Sequence, residues 1–414
     1  MFYRKDRPKS LDSYLKEQKK NPTRNFVIGN DAGDADSIIS AICLAFIEGK
    51  TPIISISKDT FVYERPEVEM LLDLAGISNT SANLLFIEDL TMILDSSKDN
   101  EVRKLTLADH NAINDSLHKF RHMIEVVEIV DHHTDENLYT DTCSGTMRNI
   151  AFENGKALVA STTTLITEML LKRTSNPPVS LSTLLLGVIL LDSVNLDESI
   201  GKVTPRDRDA VSNILTQTDW SNSSLLAYLK PSAGSQLTID TNQLFSHLER
   251  AKYSPEFWKA FDVSRALGYD YKVFHYSRNN SKHRFGISTI LMPVNQFMVK
   301  EGFLPKTAEF MRSKELTVLG IMLTFYDQTT GDFRRQLALC SSRYRWGVIG
   351  DDLIESKMYT YLALKEITSQ QLTSDEIDVR IIVYEQGNVA PSRKQIGPML
   401  VEFFASELDF DQDK

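Results

Sequence analysis

In the first half of the chain, short apolar runs alternate with helical patterns, and this alternation restricts the possible folds more than any other feature. Runs of strand length lie at residues 25–29, 52–57, 83–87, 105–109, 126–130 and 156–159. Helical patterns lie at 37–48, 68–75, 162–172, 182–191 and 206–217. Strands that alternate with helices of this length predict parallel crossover units. The fold class is therefore α/β, with a doubly wound, mostly parallel sheet.

Acidic and histidine side chains follow three of the predicted strands. The stretch GNDAGDADS (29–37) follows FVI, Asp109 follows LTLA, and the tripeptide DHH (131–133) follows VVEIV. Because the carboxyl ends of parallel strands meet at one edge of a sheet, we expect these groups to converge. Asp192 ends an apolar helical pattern and is predicted to reach the same edge. The predicted cluster comprises Asp34, Asp36, Asp109, His132 and Asp192.

The residue types of this cluster suit a divalent cation. Mg²⁺ and Mn²⁺ favour carboxylate oxygen, and Mn²⁺ also accepts imidazole. Structural alternatives exist: Asp34 and Asp36 can cap a helix starting near Ser37, and Asp109 can be a turn residue. Two adjacent histidines after a strand are harder to explain structurally. Asp192 lies in an apolar helical pattern, where leaving a carboxylate without a partner would cost several kcal/mol.

Composition limits the functions and the cellular compartments that are compatible with the sequence. The net charge of −10 argues against a general nucleic-acid-binding protein. The negative net charge is compatible with a small anionic substrate, because divalent ions and a few lysines reverse the sign of the local electrostatic potential. No apolar run approaches the roughly 20 residues that span a bilayer, and the N-terminus does not resemble a secretory signal. The three cysteines are widely spaced, which predicts reduced thiols and a cytoplasmic protein.

The second half of the chain has a different composition and sequence pattern. Residues 219–236 are rich in Ser, Asn, Pro and Gly and predict a linker between domains 1–218 and 237–414. Beyond the linker, strands are predicted at 268–273, 285–291, 318–326, 336–341 and 379–384. Helices are predicted at 242–251, 297–311, 351–362 and 393–407. This mixture predicts a C-terminal α+β domain.

Four motifs, in order, resemble those of the DHH phosphoesterases: GNDAGDADS, ADHN (108–111), DHH (131–133) and LLDSVN (190–195). Two more, DYKVF (270–274) and PSRKQIGP (391–398), resemble motifs of the C-terminal domain shared by family II inorganic pyrophosphatases, exopolyphosphatases and prune proteins. The resemblance implies that this C-terminal domain closes over the cleft of the N-terminal domain.

Details of the motifs favour one branch of this superfamily. Asn30 stands where the pyrophosphatases have His, which is similar to the eukaryotic exopolyphosphatase and prune branch. His133 is retained where animal prune proteins have Arg, which favours an exopolyphosphatase. The stretch GNVAPSRKQ replaces the glycine-rich, histidine-containing motif of oligonucleotide phosphodiesterases. A family II-type pyrophosphatase and a prune-like short-chain polyphosphatase or binding scaffold stay open as alternatives.

The resemblance also implies roles for individual residues. Asp34, Asp36, Asp109, His132 and Asp192 would bind two divalent ions, Mn²⁺ or Mg²⁺ with Co²⁺ as a third candidate. Asp109 would bridge the ions, and His133 would face the substrate as the catalytic acid. The predicted substrate-binding residues are Asn30, His110, His133, Lys272, Lys282, His283, Arg393 and Lys394. The sequence thus predicts a monomeric exopolyphosphatase that acts on inorganic polyphosphate, with no nucleic-acid or membrane partner.

Overall fold

The structure is a computed structural model that describes residues 10–96, 102–229, 238–253, 258–259, 261–278, 281–342, 353–373 and 378–406. The chain forms two compact units, Met1–Lys252 and Tyr253–Lys414. Each unit has its own hydrophobic core and is described by itself.

The first unit is built on a parallel sheet of five strands in the order β2-β1-β3-β4-β5. The strands are β1 (Asn25–Ile28), β2 (Thr51–Ile53), β3 (Arg103–Ala108), β4 (Ile124–Asp131) and β5 (Arg148–Ile150). Each pairing between them is parallel, which confirms the predicted sheet. The direction of winding reverses between β1 and β3, and ligands of such folds bind at this reversal, beyond the carboxyl ends of the strands.

Two predicted strands take another form. Around residues 83–87 the chain makes one isolated bridge, between Ile54 and Phe86, and is otherwise helical on both sides. The segment predicted at 156–159 forms a small antiparallel ribbon, in which β7 (Lys156–Ala157) pairs with β6 (Phe152–Glu153). Apolar runs this short fit a strand or a buried loop equally well, so their pattern alone does not separate the two.

Helices cover the sheet of the first unit. They are α1 (Leu11–Lys20), α2 (Ala35–Glu48), α3 (Lys58–Glu64), α4 (Pro66–Leu74), α5 (Thr80–Asn83), α6 (Ile87–Ser96), α7 (Thr162–Leu171), α8 (Val179–Asp192), α9 (Pro205–Gln217), α10 (Ser224–Leu229) and α11 (Thr241–Lys252). Short 3₁₀ turns lie at Asp115–Met123, Gly145–Met147 and Glu198–Ile200. Helix α8 is buried along residues 181–190, as expected for a helix that is apolar on all sides.

The predicted linker and domain start fall close to the end of the first unit. Within residues 219–236, α10 buries Leu225, Leu226 and Leu229 in the core of the first unit, while residues 230–237 lie outside the described part. Helix α11, predicted as part of the second domain, packs Leu244 and Leu248 into the same core. By packing, α11 therefore belongs with the first unit.

The second unit contains a mixed sheet of six strands in the order β12-β13-β11-β10-β9-β8. The strands are β8 (Tyr271–Arg278), β9 (Ser281–Ile290), β10 (Val318–Tyr326), β11 (Phe333–Ser342), β12 (Leu364–Thr373) and β13 (Asp378–Gln386). Strands β9 and β10 pair in parallel and the other neighbours pair antiparallel. The helices are α12 (Val263–Tyr269), α13 (Val294–Phe297), α14 (Phe303–Ser313), α15 (Lys357–Leu362) and α16 (Arg393–Ser406). The predicted α+β class is confirmed.

Several features of the second unit differ from the prediction. The strand predicted from 268 begins at Tyr271, because α12 occupies the preceding residues. The single helix predicted over 297–311 is divided into α13 and α14, and Gly302 between them has a left-handed φ of 69°. Strand β12 was not predicted; it pairs only with β13 at the sheet edge, and its sequence LKEITSQQLT is largely polar.

Two further expectations bear on the environment of the chain. No helix in the described ranges combines the length and the apolar content needed to cross a bilayer. Cys43, Cys143 and Cys340 are each buried as free thiols, as predicted from their spacing.

Candidate active site

The loop after β1 is shaped by two glycines and one asparagine. A Cβ at Gly29 would lie 2.1 Å from Ser37 Oγ and 2.7 Å from the Ser37 carbonyl oxygen, so this position requires glycine. Asn30 Oδ1 accepts hydrogen bonds from the N–H groups of Ala32 at 2.9 Å and Gly33 at 3.3 Å. Its amide Nδ2 donates to Asp109 Oδ2 at 2.7 Å. Asn30 thus joins the end of β1 to the end of β3 as a hydrogen-bond donor.

Arg65 binds the same loop through hydrogen bonds, although no sequence pattern identified it as part of the site. Its buried guanidinium donates to the carbonyl oxygens of Gly33, Ala32 and Glu64. Because these partners are backbone atoms, no pattern of side chains predicts the contact.

Asp34 and Asp36 have different environments. Asp34 is exposed and caps α2, since its Oδ1 accepts the Ser37 N–H at 3.0 Å, as in the structural alternative considered above. Asp36, only 4% exposed, lies in the first turn of α2. Its Oδ1 accepts hydrogen bonds from Ser40 Oγ, Ser161 Oγ and the Thr163 N–H, at 3.2, 2.7 and 3.0 Å. Its Oδ2 accepts the Thr162 N–H at 2.8 Å.

Asp109 lies directly after β3 in a left-handed conformation, with φ of 64°. Such a backbone is uncommon for residues other than glycine, although Asn, Asp and His adopt it more often than the rest, and the examples cluster at functional positions. Its Oδ1 accepts a hydrogen bond from Thr162 Oγ1 at 3.1 Å, and its N–H donates to the Val130 carbonyl at 2.9 Å. The carboxylate is therefore held on both oxygens, by Thr162 and by Asn30.

His132 completes a set of three donor groups. Its Nδ1 lies 3.1 Å from the Val159 carbonyl oxygen, which can only accept, so Nδ1 donates this hydrogen bond and Nε2 is the nitrogen that can coordinate a cation. Nε2 lies 3.4 Å from Asp109 Oδ1 and 3.8 Å from Asp36 Oδ2. One imidazole nitrogen and two carboxylate oxygens at these distances form a donor set that suits a divalent cation.

His133 forms a pair with Asp131, a residue to which the sequence assigned no role. His133 Nδ1 donates to Asp131 Oδ1 at 2.8 Å, and Asn111 Nδ2 donates to Asp131 Oδ2 at 2.6 Å. Burial opposes ionisation of Asp131, but the hydrogen bond and charge of His133 prevail and hold the pKa of Asp131 well below its usual range. The side chain of His133 is 30% exposed, so it can be reached from solvent.

One grouping of potential ligand atoms stands out in the described ranges. Asp109, His132 and His133 each offer an atom within 4.8 Å of the others. This grouping shares Asp109 and His132 with the predicted ligand set. It adds His133, which had been assigned to the substrate, and it does not include Asp34, Asp36 or Asp192.

Asp192 ends α8 and affects the buried cluster through its charge. Burial, the charge of Asp109 and then the charge of Asp192 raise the pKa of Asp36 well above its usual range. The next residues, Val194, Asn195 and Leu196, have left-handed φ values of 51°, 55° and 61°. This turn is strained for a β-branched residue such as Val194. The structure thus brings Asp192 into electrostatic range of Asp36.

His110 is engaged inside the protein. Its Nδ1 lies 3.0 Å from the Ala108 carbonyl oxygen and its Nε2 lies 3.2 Å from Asn114 Oδ1. Burial lowers the pKa of His110. Asn114 in turn donates to the Gly29 carbonyl at 3.0 Å, so the pair connects the loops after β1 and β3.

In the second unit, Arg393 has a carboxylate partner that the sequence did not indicate. Its guanidinium donates to the carbonyl oxygen and to Oδ1 of Asp270, both at 2.6 Å. Burial opposes ionisation of Asp270, but the charge of Arg393 lowers its pKa. Lys272 also lowers the pKa of Asp270, which places it close by, and Lys394 is exposed.

The remaining basic candidates lie on β9. The ring of His283 stacks on that of Tyr276, with centroids 5.2 Å apart. The side chain of Lys282 lies outside the described part of the structure.

Comparisons with known proteins identify the family of the chain. Residues 24–191 match the DHH family, N-terminal domain, and residues 257–403 match the DHHA2 domain. "Exopolyphosphatase PRUNE1" of Mus musculus is 27% identical over 416 residues, covering 96% of this chain and 80% of that protein. A "Putative exopolyphosphatase" of Schizosaccharomyces pombe is 25% identical, covering 92% of this chain and 91% of that protein.

A solved structure shares the fold. The crystal structure of a "putative family II inorganic pyrophosphatase" from Methanococcus jannaschii superimposes with a TM-score of 0.53 at 17% identity, covering 92% of this chain and 99% of that one. The chain belongs to the DHH phosphoesterase superfamily. Its DHHA2 domain and its similarity to the exopolyphosphatases, over 96% of this chain and 80% of the Mus musculus protein, place it in the prune branch of that superfamily.

Proposed function

We propose that this hydrolase is a divalent-metal-dependent exopolyphosphatase, which removes the terminal phosphate of linear inorganic polyphosphate and releases orthophosphate. The observation that carries the proposal is the position of His132 Nε2, 3.4 Å from Asp109 Oδ1 and 3.8 Å from Asp36 Oδ2. The names of the similar exopolyphosphatases support polyphosphate as the substrate class.

The buried donors fit a cation by their chemistry. Asp36, Asp109 and His132 would hold it, and Asp34 and Asp192 would supply further carboxylate oxygens for a second ion. We propose Mn²⁺ or Mg²⁺, with Co²⁺ as a substitute. When bound, a pair of such ions lowers the pKa of a water molecule and offsets the charge of the phosphate oxygens.

The protein's own groups would handle the leaving phosphate chain. His133, oriented by Asp131 at 2.8 Å and reachable from solvent, is placed to donate a proton or a hydrogen bond to the leaving oxygen. Asn30 and His110 would support this role by fixing the loops after β1 and β3.

We also propose that basic residues of the second unit bind phosphate groups. They are Lys272, Lys282, His283, Arg393 and Lys394. Arg393 begins α16, and a helix N-terminus attracts phosphate. Because Arg393 already holds Asp270, its contribution would be shared with that carboxylate.

The experiment compares phosphate release from long polyphosphate, tripolyphosphate, pyrophosphate and a dinucleotide, with Mn²⁺ or Mg²⁺ and after treatment with a chelator. We expect release from long chains, loss of activity with the chelator, and recovery when metal is returned. Pyrophosphate as the best substrate would favour the family II-type alternative. Absence of turnover on every substrate would favour the prune-like binding scaffold.

Two broader expectations accompany the proposal. The protein would act in the cytoplasm and as a monomer. Light scattering at several protein concentrations checks the second point, and a mass of two or more chains would contradict it.

A further inference from the structure

One short segment, residues 159–163, contacts three of the buried candidate ligands. The Val159 carbonyl accepts the proton of His132 Nδ1 at 3.1 Å. Ser161 Oγ and the N–H groups of Thr162 and Thr163 donate to Asp36 at 2.7, 2.8 and 3.0 Å. These residues are 125 or more positions from Asp36 in the sequence, and neither the spacing nor the motifs indicated them.

These contacts decide which oxygen of Asp36 can face a cation. Oδ1 accepts three hydrogen bonds, from Ser40, Ser161 and Thr163. A carboxylate offers about four lone-pair positions in total, so Oδ1 is fully occupied. Oδ2 accepts one hydrogen bond, from Thr162, and lies 3.8 Å from His132 Nε2. The segment therefore directs Oδ2 towards His132.

Thr162 acts on both buried carboxylates. Its N–H donates to Asp36 Oδ2 at 2.8 Å and its Oγ1 donates to Asp109 Oδ1 at 3.1 Å. Asp36 and Asp109 repel each other, as the raised pKa of Asp36 indicates. Two donors from one fully buried residue fix the separation of two groups that would otherwise move apart.

Asp207 anchors the segment from α9. This fully buried carboxylate accepts the Ala160 N–H at 3.0 Å and Thr164 Oγ1 at 2.7 Å. It also accepts the N–H and the hydroxyl of Thr204, each at 2.8 Å, in the capping box of α9. The start of α7 and the start of α9 are thus joined through one side chain.

We infer that Thr162 is a positioning residue, which sets the orientation of Asp36 and Asp109 for a divalent cation, and that Asp207 anchors it. The inference rests on the metal-dependent reaction proposed above. It assigns Thr162 no contact with the substrate. The hydroxyl of Thr162 is the part that can be removed without changing the backbone.

The test measures Mn²⁺ binding to the full chain by isothermal titration calorimetry, with thermal unfolding as a check on folding. Thr162→Val removes the hydroxyl and keeps the N–H, and we expect at least about tenfold weaker Mn²⁺ binding. Thr162→Ser restores a hydroxyl and is expected to bind Mn²⁺ within about threefold of the wild type. The matched control is Thr167→Val, because Thr167 is equally buried on α7 and its hydroxyl donates to the Thr163 carbonyl at 2.9 Å.

Three results would overturn the inference. They are unchanged Mn²⁺ affinity in Thr162→Val, a Thr162→Ser variant as weak as Thr162→Val, and an equal loss in Thr167→Val, which would indicate a general packing effect. If Thr162→Val does not fold, Thr162→Ala replaces it, since it removes the same hydroxyl. Unchanged Mn²⁺ affinity in that variant would also refute the inference.

The binding measurement separates this inference from the proposed function. A wild-type protein that binds Mn²⁺ without hydrolysing polyphosphate would refute the proposed substrate and leave the role of Thr162 supported by the variant series. A wild-type protein that hydrolyses polyphosphate, together with unchanged Mn²⁺ affinity in Thr162→Val, would support the proposed substrate and refute the role of Thr162.

Discussion

Substituting Asp109 by asparagine removes one charge from the buried cluster while it preserves the shape of the side chain. Asp109 has a φ of 64°, and asparagine tolerates this left-handed backbone better than other residues. Alanine would add a backbone cost of about 1–2 kcal/mol, which would confuse the interpretation. The asparagine variant is therefore the cleaner change.

Local hydrogen bonds are expected to survive in this variant. The amide oxygen can accept from Asn30 Nδ2, which now donates to Asp109 Oδ2 at 2.7 Å. The amide nitrogen would then face Thr162 Oγ1, whose hydroxyl can rotate and accept. Because the charge of Asp109 raises the pKa of Asp36, its removal relieves repulsion in the metal-free protein. We therefore expect no large loss of stability without metal.

The magnitude follows from ligand linkage. An ion at 100 times its dissociation constant stabilises the native state by about 2.7 kcal/mol. For a domain the size of the first unit, each kcal/mol raises Tm by about 2–4 °C. The wild type should therefore gain about 5–11 °C on addition of Mn²⁺. Asp109→Asn should lose most of this gain, together with phosphate release.

The assay is thermal unfolding by circular dichroism in chelator-treated buffer, with and without Mn²⁺, alongside phosphate release from polyphosphate. Asp95→Asn is the matched control, because Asp95 lies on α6 of the same unit with 63% of its side chain exposed. The control should keep the full Mn²⁺ response. An Asp109→Asn protein that keeps the wild-type Tm increase, or turns over at the wild-type rate, would remove Asp109 from the metal site.

Three other substitutions test separate features. Gly29→Ala would place a Cβ 2.7 Å from the Ser37 carbonyl oxygen and should lower the free energy of unfolding by about 1–3 kcal/mol or more in urea titrations. Gly268→Ala, with only Phe310 as a neighbour at 4.0 Å, should not, and equal losses would contradict the steric reasoning. Asp131→Asn tests a pH dependence: the folded-state pKa of Asp131 lies below the unfolded value of about 3.9, so its ionised form stabilises the fold above that pH and the contribution is lost as the pH falls through the folded value. The stability difference between wild type and Asp131→Asn should therefore be constant above about pH 5 and shrink as the pH falls below about 4 towards the folded-state value, and a difference that stays constant down to about pH 2 would argue against the His133 pairing. Arg393→Ala should raise KM and lower kcat for polyphosphate and, because it breaks two bonds to Asp270, destabilise the second unit by about 1–2 kcal/mol; unchanged kinetics would show that Arg393 serves only the fold.

The amino-acid sequence alone determined the parallel sheet and the edge at which the candidate site lies. Apolar runs that end in Asp109 or in the tripeptide at 131–133 are local patterns, and parallel topology turns them into neighbours. The segment that contains α10 shows the limit of such patterns. Residues 219–236 are rich in turn formers, yet α10 within them buries three leucines in the first core.

Other features were decided only by tertiary structure, and for a common reason: their partners are backbone atoms or residues far away in the chain. Arg65 donates hydrogen bonds to backbone carbonyl oxygens, so no complementary side chain in the sequence indicates its role. Arg393 binds Asp270 across 123 positions. Three of the four donors to Asp36 come from a run of hydroxyl residues, Ser161 to Thr163, whose local sign is a polar start to an otherwise apolar helix. A one-dimensional pattern shows which residues can ionise or coordinate, but the folded chain decides which of their atoms face each other, because burial and hydrogen bonding fix that choice.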